Sequence, residues 1–300
     1  MTIAFEIGLL YAVMAIGVYL TYRVLDFPDL TVDGSFTTGA ATTAIFIISG
    51  APLWLAMVAA IISGILAGTI TGLLHVWGRI NPLLAGILTQ IALYSVNLRI
   101  MGRANVPLLR SETLFTPLRD DRLLGTWVSL TIFAVVVVAI GALVYWFLGT
   151  QYGVALRATG DNELMARSQG IATGNAKIVG LALSNGLVAL CGSFVAQYQG
   201  YADISMGIGL IVAGLASVIV GQAIFGMTSV WQSVLAAALG SVIYRSIIQL
   251  ALNAGLNPND MKLISAVLVV IALTVPGLSP LKSRRRRRTR DKALAQAGAA

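Results

Sequence analysis

Long apolar runs broken by short charged islands dominate the chain. Six runs are close to the roughly 20 residues that a helix needs to cross about 30 Å of hydrocarbon: 53–77, 127–148, 177–198, 207–225, 231–252 and 262–275. Three others, 3–20, 35–48 and 83–101, carry more small and polar residues, among them Gln90 and Asn97. Such residues mark candidates for broken or re-entrant helices, whose backbone must be satisfied by protein or a water-filled cavity. The pattern predicts an all-α polytopic membrane protein with about 8–10 crossings, one or more of them broken. The first run has no Lys or Arg before Arg23 and no convincing small-residue cleavage site, so it reads as a retained span, not a cleaved signal.

Composition narrows this picture. The 300 residues are 57% apolar and 11% charged, against roughly 25% charged in soluble domains, which leaves no room for a soluble domain. One transmembrane domain, 1–277, is expected, followed by a basic tail, 278–300. That tail carries Lys282, the arginines 284–288, Arg290 and Lys292 against one acid, Asp291. By the positive-inside rule it is cytoplasmic in a multi-pass protein of the inner (plasma) membrane. Anionic lipid headgroups explain it better than nucleic acid. Counting back from the tail puts the turn at Gly226 and the 149–177 loop inside, with the loops at Asp203 and after Leu252 outside. The segment with Arg103, Arg110, Arg119 and Arg122 then also lies outside, its charge partly offset by Glu112, Asp120 and Asp121.

No catalytic set is visible. Walker A, nucleophile-elbow and HExxH patterns are missing from the sequence, so any ATP must be hydrolysed on another chain. Cys191 and His75, each the sole residue of its kind, read as packing and interfacial residues, and no metal or other cofactor is expected on this chain. The six firm runs hold no Asp, Glu or His at depth, which weighs against an ion-coupled secondary carrier for a small polar solute; such carriers commonly need an intramembrane relay. Gly64, Gly68 and Gly72, spaced by four, place a small-residue stripe on one helix face and suggest close packing within the subunit. Gly207, Gly209 and Gly214 mimic a dinucleotide loop without its strand or ribose-binding acid.

Three polar groups remain. The segment DFPDLTVDGSFTTGAATTA, 26–44, is either a plain turn or a helix start at depth, with Asp33 or Thr31 capping the helix that follows. With Asp29, Ser35 and Asn97 these residues are candidates to line a pathway. Arg245 is the one charge well inside a firm run; with Gln249, four residues on and on the same face, it could meet a solute carboxylate, or else pair with a neighbouring helix. In the charged island, 161–169 could form a short helix capped by Asp161, ended by Gly170 and braced by Glu163 and Arg167.

DLTVDGSF, ALRATGDNELMARSQGI, GIGLIVAGLASVIVGQAIFG and GLNPNDMKLISAVLVVIAL, in this order, resemble the permease subunits of ATP-binding-cassette importers of the branched-chain amino acid and ribose class. More narrowly, they are similar to the subgroup that includes tryptophan-like amino acid uptake. The resemblance spans about residues 9–275. It implies a dimer of permeases, most simply a homodimer, each docking a cytoplasmic ATPase that holds ATP and Mg, with an extracytoplasmic solute-binding protein delivering the solute. The family's coupling segment matches 157–170, which implies that Arg157, Asp161, Asn162, Glu163, Arg167 and Gly170 form the ATPase-coupling surface.

Overall fold

Backbone amides in hydrocarbon have no water to bond, so each apolar run must satisfy its own hydrogen bonds as a helix. The computed structural model describes residues 2–109, 111–255 and 261–278; the basic tail, Arg110 and the 256–260 part of the last loop lie outside the described residues. The helices are α1 (Thr2–Tyr19), α2 (Thr31–Ile48), α3 (Leu53–Val76), α4 (Pro82–Met101), α5 (Thr116–Asp120), α6 (Trp127–Gly149), α7 (Gln151–Asp161), α8 (Glu163–Ser168), α9 (Thr173–Gln199), α10 (Leu210–Phe225), α11 (Val230–Asn253) and α12 (Met261–Leu278). A π-helical turn, Leu20–Val24, continues α1. Two short strands, β1 (Asn105–Pro107) and β2 (Tyr201–Asp203), pair antiparallel with Asn105 opposite Asp203.

Among the described residues, six helices are long and apolar enough to cross a membrane: α1 with its π turn, α3, α4, α6, α9 and α11. The protein is a multi-pass membrane protein of all-α architecture. α1 and α9 form its centre, whereas α3, α4 and α6 turn most of their surface outward. The expected crossing at 207–225 is corrected: the helix begins only at Leu210. Its 16 residues rise about 24 Å, short of a full span. The chain before it runs as turns, with Gly209 at φ +84°. α10 is therefore shorter than a full crossing, and α2, which holds the small-residue run 35–48, is also not among the six.

Contacts sort the loops onto two ends. β1 and β2 sit at one end, where Glu6 near the start of α1 meets Gly125 ahead of α6 and Tyr198 near the end of α9. α7 and α8 sit at the other, where a Cβ on Gly160 would fall on the carbonyl of Val24, and Thr228 and Ser229 share a cavity with Arg157.

The glycine stripe packs inside the protomer. A Cβ at Gly64 or Gly68 would land on the carbonyl oxygens of Asn185 and Leu181, and one at Gly72 would lie 2.9 Å from the Cα of Ile178. Backbone thus meets backbone along the α3–α9 seam, the geometry that small residues permit between membrane helices. Cys191 is buried there beside α1, its thiol donating to Leu10 O at 3.2 Å.

Candidate functional site

The DLTVDG segment starts a helix inside the bundle, but its capping differs from either sequence expectation. Asp29, 2% exposed, accepts from Thr31 N at 2.9 Å, so the turn before α2 is closed by Asp29 and not by Thr31 or Asp33. Asp33 instead caps a different helix. Its Oδ2 and Oδ1 accept from Gly209 N and Ile211 N, both at 2.7 Å, which are the amides at the start of α10. An anionic carboxylate facing free helix amides has favourable charge as well as hydrogen bonding. Gly207 must be glycine for this approach, because a Cβ there would fall on Asp33 O and the Thr37 hydroxyl.

Next to this joint lies a cavity of about 380 Å³ between α2, α4 and the chain entering α10. Asp33, Gln90 and Asn97 supply polar wall; Ile91, Tyr94 and Ile208 supply apolar wall. Asn97 is 1% exposed, and its Nδ2 donates to Gly34 O at 3.4 Å. Its Oδ1 is buried without a donor. The carbonyl of Gly34 fixes which end of the amide is nitrogen, since a carbonyl oxygen cannot donate.

The remaining pathway candidates go elsewhere. Asp29, Thr31 and Ser35 are sealed within the protomer. Asn185 of α9 donates to Asp29 Oδ2 at 2.7 Å and accepts from Ser35 Oγ at 2.6 Å, while the Thr31, Thr71 and Thr89 hydroxyls link α2, α3 and α4 at 2.7 and 2.9 Å. These groups hold helices to one another. Arg245 lays its guanidinium over the Tyr11 ring of α1, 3.6 Å from the centroid. Gln249 turns along its own helix to Asn253 Oδ1 at 3.2 Å. Although the two share a face, their partners differ, and the alternative of packing on a neighbouring helix describes Arg245.

The charged island folds into two short helices. Asn162, not Asp161, caps the second: Asp161 ends α7, whereas Asn162 is extended and accepts from Met165 N at 3.0 Å. Gly170 adopts φ +83°, a conformation that favours glycine, and ends α8 as the sequence predicts. Glu163 bonds Arg167 at 3.1 Å and, more closely, Lys177 Nζ of α9 at 2.7 Å. That hydrogen bond from Lys177 holds the Glu163 carboxyl below the usual carboxylate range. The knob is thus fastened to α9 at Lys177, which in turn lies 3.4 Å from His75 Nε2 of α3. Its outer face leaves Leu164 80% and Met165 63% exposed. Arg157 is half-buried on α7, with its Nε enclosed and without a partner.

Sequence reasoning missed Asn185, Gln197 and Glu6. Gln197 accepts from Leu114 N at 2.9 Å. Glu6, fully buried, accepts from Gly125 N at 2.7 Å, Tyr198 OH at 2.9 Å and the Ser129 hydroxyl. A polar residue in an apolar run is the one signal for all three, and it does not say where the partner lies.

A family model described as "Branched-chain amino acid transport system / permease component" matches residues 3–274. A "Tyrosine transport system permease protein" of Clostridioides difficile is 40% identical over 272 residues, covering 91% of this chain and 90% of that protein. An uncharacterized protein of Rickettsia prowazekii is 36% identical over 275 residues, covering 90% and 95%. Among solved structures, PsaBC from Streptococcus pneumoniae in complex with Fab superposes with a TM-score of 0.51 at 18% identity, covering 90% of this chain and 88% of that one. At that identity the likeness speaks for the fold alone.

Proposed function

The chain belongs to the family of permease components of branched-chain amino acid transport systems, and from that membership we propose that it lines the membrane pathway for an amino acid, delivered by a binding protein and driven by a separate ATPase. As a permease of this family it is the transport subunit of an importer for a small solute. In the proposed complex two copies pair as a homodimer, and the end that carries α7 and α8 faces the cytoplasm with the basic tail.

One observation carries the ATPase-coupled reading: the α7–α8 knob. It presents exposed Leu164 and Met165 beside Asp161, Asn162 and Arg167, while Glu163, Lys177 and Thr173 fasten it to α9. An apolar pair on a charged, firmly rooted projection suits a protein partner. A pull from that partner would be passed to a central helix and not lost in a loop. Arg157 and Gly170 complete the surface, the first on α7 and the second where α8 ends.

The name of the relative from Clostridioides difficile makes L-tyrosine the first solute to test. The permease should be reconstituted together with its partner ATPase and binding protein, and amino acids screened for stimulated ATP hydrolysis and uptake. Stimulation by an amino acid is the expected result. Uptake that persists without the ATPase would refute the reading in favour of an ion-coupled carrier.

A further inference from the structure

The cavity beside Asp33 has a one-sided chemistry. Asp33 brings a carboxylate, and Asn97 brings a buried amide oxygen that no protein group satisfies. Leaving such an acceptor buried and unpaired is costly, so its persistence at a cavity wall calls for a donor that the protomer does not itself supply. Tyr94 adds an aromatic face, and Ile91 and Ile208 add apolar surface. Among the described residues lining the cavity, none is Lys, Arg or His, so an anionic group would find no counter-charge there. Its volume of about 380 Å³ falls within the range of small-molecule sites.

From this juxtaposition of the Asp33 carboxylate, the donor-less Asn97 Oδ1 and the Tyr94 ring around one cavity, we propose that the protein binds its solute here by a primary ammonium group. The proposal rests on the reading of the chain as an amino acid permease and specifies which end of the solute this half-site takes. The ammonium donates to Asn97 Oδ1 and lies in the field of Asp33. The Tyr94 ring favours the same cation through its quadrupole, and the apolar wall accepts the hydrocarbon part of the solute. Recognition here therefore depends on the amine, and a carboxylate on the solute makes no contribution to it.

The test uses the permease–ATPase complex in nanodiscs, without binding protein, carrying Ser95→Cys at the cavity wall. Cys191 is buried and leaves little background labelling. Alkylation of the new thiol is followed with L-tyrosine, with tyramine, which keeps the ammonium and lacks the carboxylate, and with 4-hydroxyphenylpropionate, which does the reverse. The expected result is protection by L-tyrosine and tyramine and none by the acid. Adding Asn97→Leu should weaken that protection about tenfold or more, the value of one hydrogen bond to a charged group, while Asn97→Asp retains it. Gln90→Leu is a second variant that reports on the same cavity without touching the acceptor.

Protection by the acid equal to that by the amines would overturn the proposal, as would equal protection in the Asn97→Leu protein. A thiol that no reagent reaches would mean that another subunit fills the cavity, and the proposal would fall. Uptake of L-tyrosine by the complete transporter separates these outcomes from failure of the importer reading. Uptake without protection sinks the half-site alone, whereas absence of ATPase-dependent uptake of any amino acid sinks the reading it rests on.

Discussion

Removing the carboxylate of Asp33 should free the start of α10. Asp33 accepts from Gly209 N and Ile211 N at 2.7 Å each, distances typical of strong charge-assisted bonds. A hydrogen bond to a charged group contributes about 1.5–3 kcal/mol. Truncation at Asp33→Ala also opens the adjacent cavity to water, which can partly re-satisfy the two amides, so the lower figure applies to each and the pair loses about 3 kcal/mol. As a local opening equilibrium this is about 150-fold. Because the first amides of a helix have no intrahelical acceptor, their protection reads the Asp33 contact directly. Hydrogen exchange of peptides covering 205–215 in nanodiscs should accelerate by about that factor in Asp33→Ala, with peptides from α6 unchanged. Asp33→Asn, which retains one acceptor, should fall between. Unchanged exchange at Gly209 and Ile211 in a folded Asp33→Ala protein would refute the assignment of Asp33 as the cap of α10.

At the knob, Glu163→Lys and Gly170→Pro should insert normally but lower solute-stimulated ATP hydrolysis in the reconstituted complex; normal stimulation in both would remove α8 from the coupling path. Gly68→Val drives a side chain into the Leu181 carbonyl and should cost about 3 kcal/mol or more by overpacking. This should appear as a lower Tm, whereas Gly149→Ala, with open space around its Cβ, should not lower it. Arg245→Gln gives up the stack on Tyr11, about 0.5–2 kcal/mol, and should lower Tm while leaving the half-saturation for solute unchanged. Glu163 is held below its ordinary pKa by Lys177, so its contribution to docking α8 is complete above about pH 4.3 and is lost as pH falls through the lowered value. Exchange protection of α8 should therefore be flat from neutral pH to about 5 and fall only at more acidic pH, and Glu163→Gln should lack that acid limb.

The elements legible from sequence were those whose determinants are local. Run length alone gave α3, α6, α9 and α11, because a charge-free stretch of about 20 residues has few other solutions in lipid. The Glu163–Arg167 brace and the Gly170 stop were readable for the same reason, since partners four residues apart and a left-handed glycine are local signals. What could not be read depends on distant partners. The start of α10 is set by Asp33, 176 residues before Gly209, and the apolar run containing it gave no sign of a late helix start. Asn185 and Glu6 were each one polar residue in an apolar context, and their partners lie on other helices. Twice the side chain that accepts at a helix start was not the expected one: Asp29 closes the turn before α2 and Asn162 caps α8. Several residues in each segment have cap-forming side chains, and only the backbone angles decide among them. The pathway candidates divided likewise: burial by neighbouring helices separates Asp29, Thr31 and Ser35 from Asp33 and Asn97, and burial is a property of the assembled bundle.

α9 is the element through which these separate observations act together. Its first turn holds α8 through Thr173 and Lys177. Its middle binds α2 through Asn185, four residues before the Ala189 backbone that closes on Gly39 of the same helix. Its last turns hold the opposite end through Gln197 and Tyr198. With α3 locked against it by glycine-to-backbone contact, α9 has little freedom to bend or slide relative to α2 and α3, since closely packed interiors transmit strain instead of absorbing it. α10 packs along α11 with backbone meeting backbone at Gly221 and Gly240, while its first amides are taken by one carboxylate on α2, next to a cavity. The α9 spine runs from the knob to the far end, and the polar joint at the start of α10 lies beside it. The Asp33 contact therefore joins the wall of the cavity to the start of α10 through two hydrogen bonds.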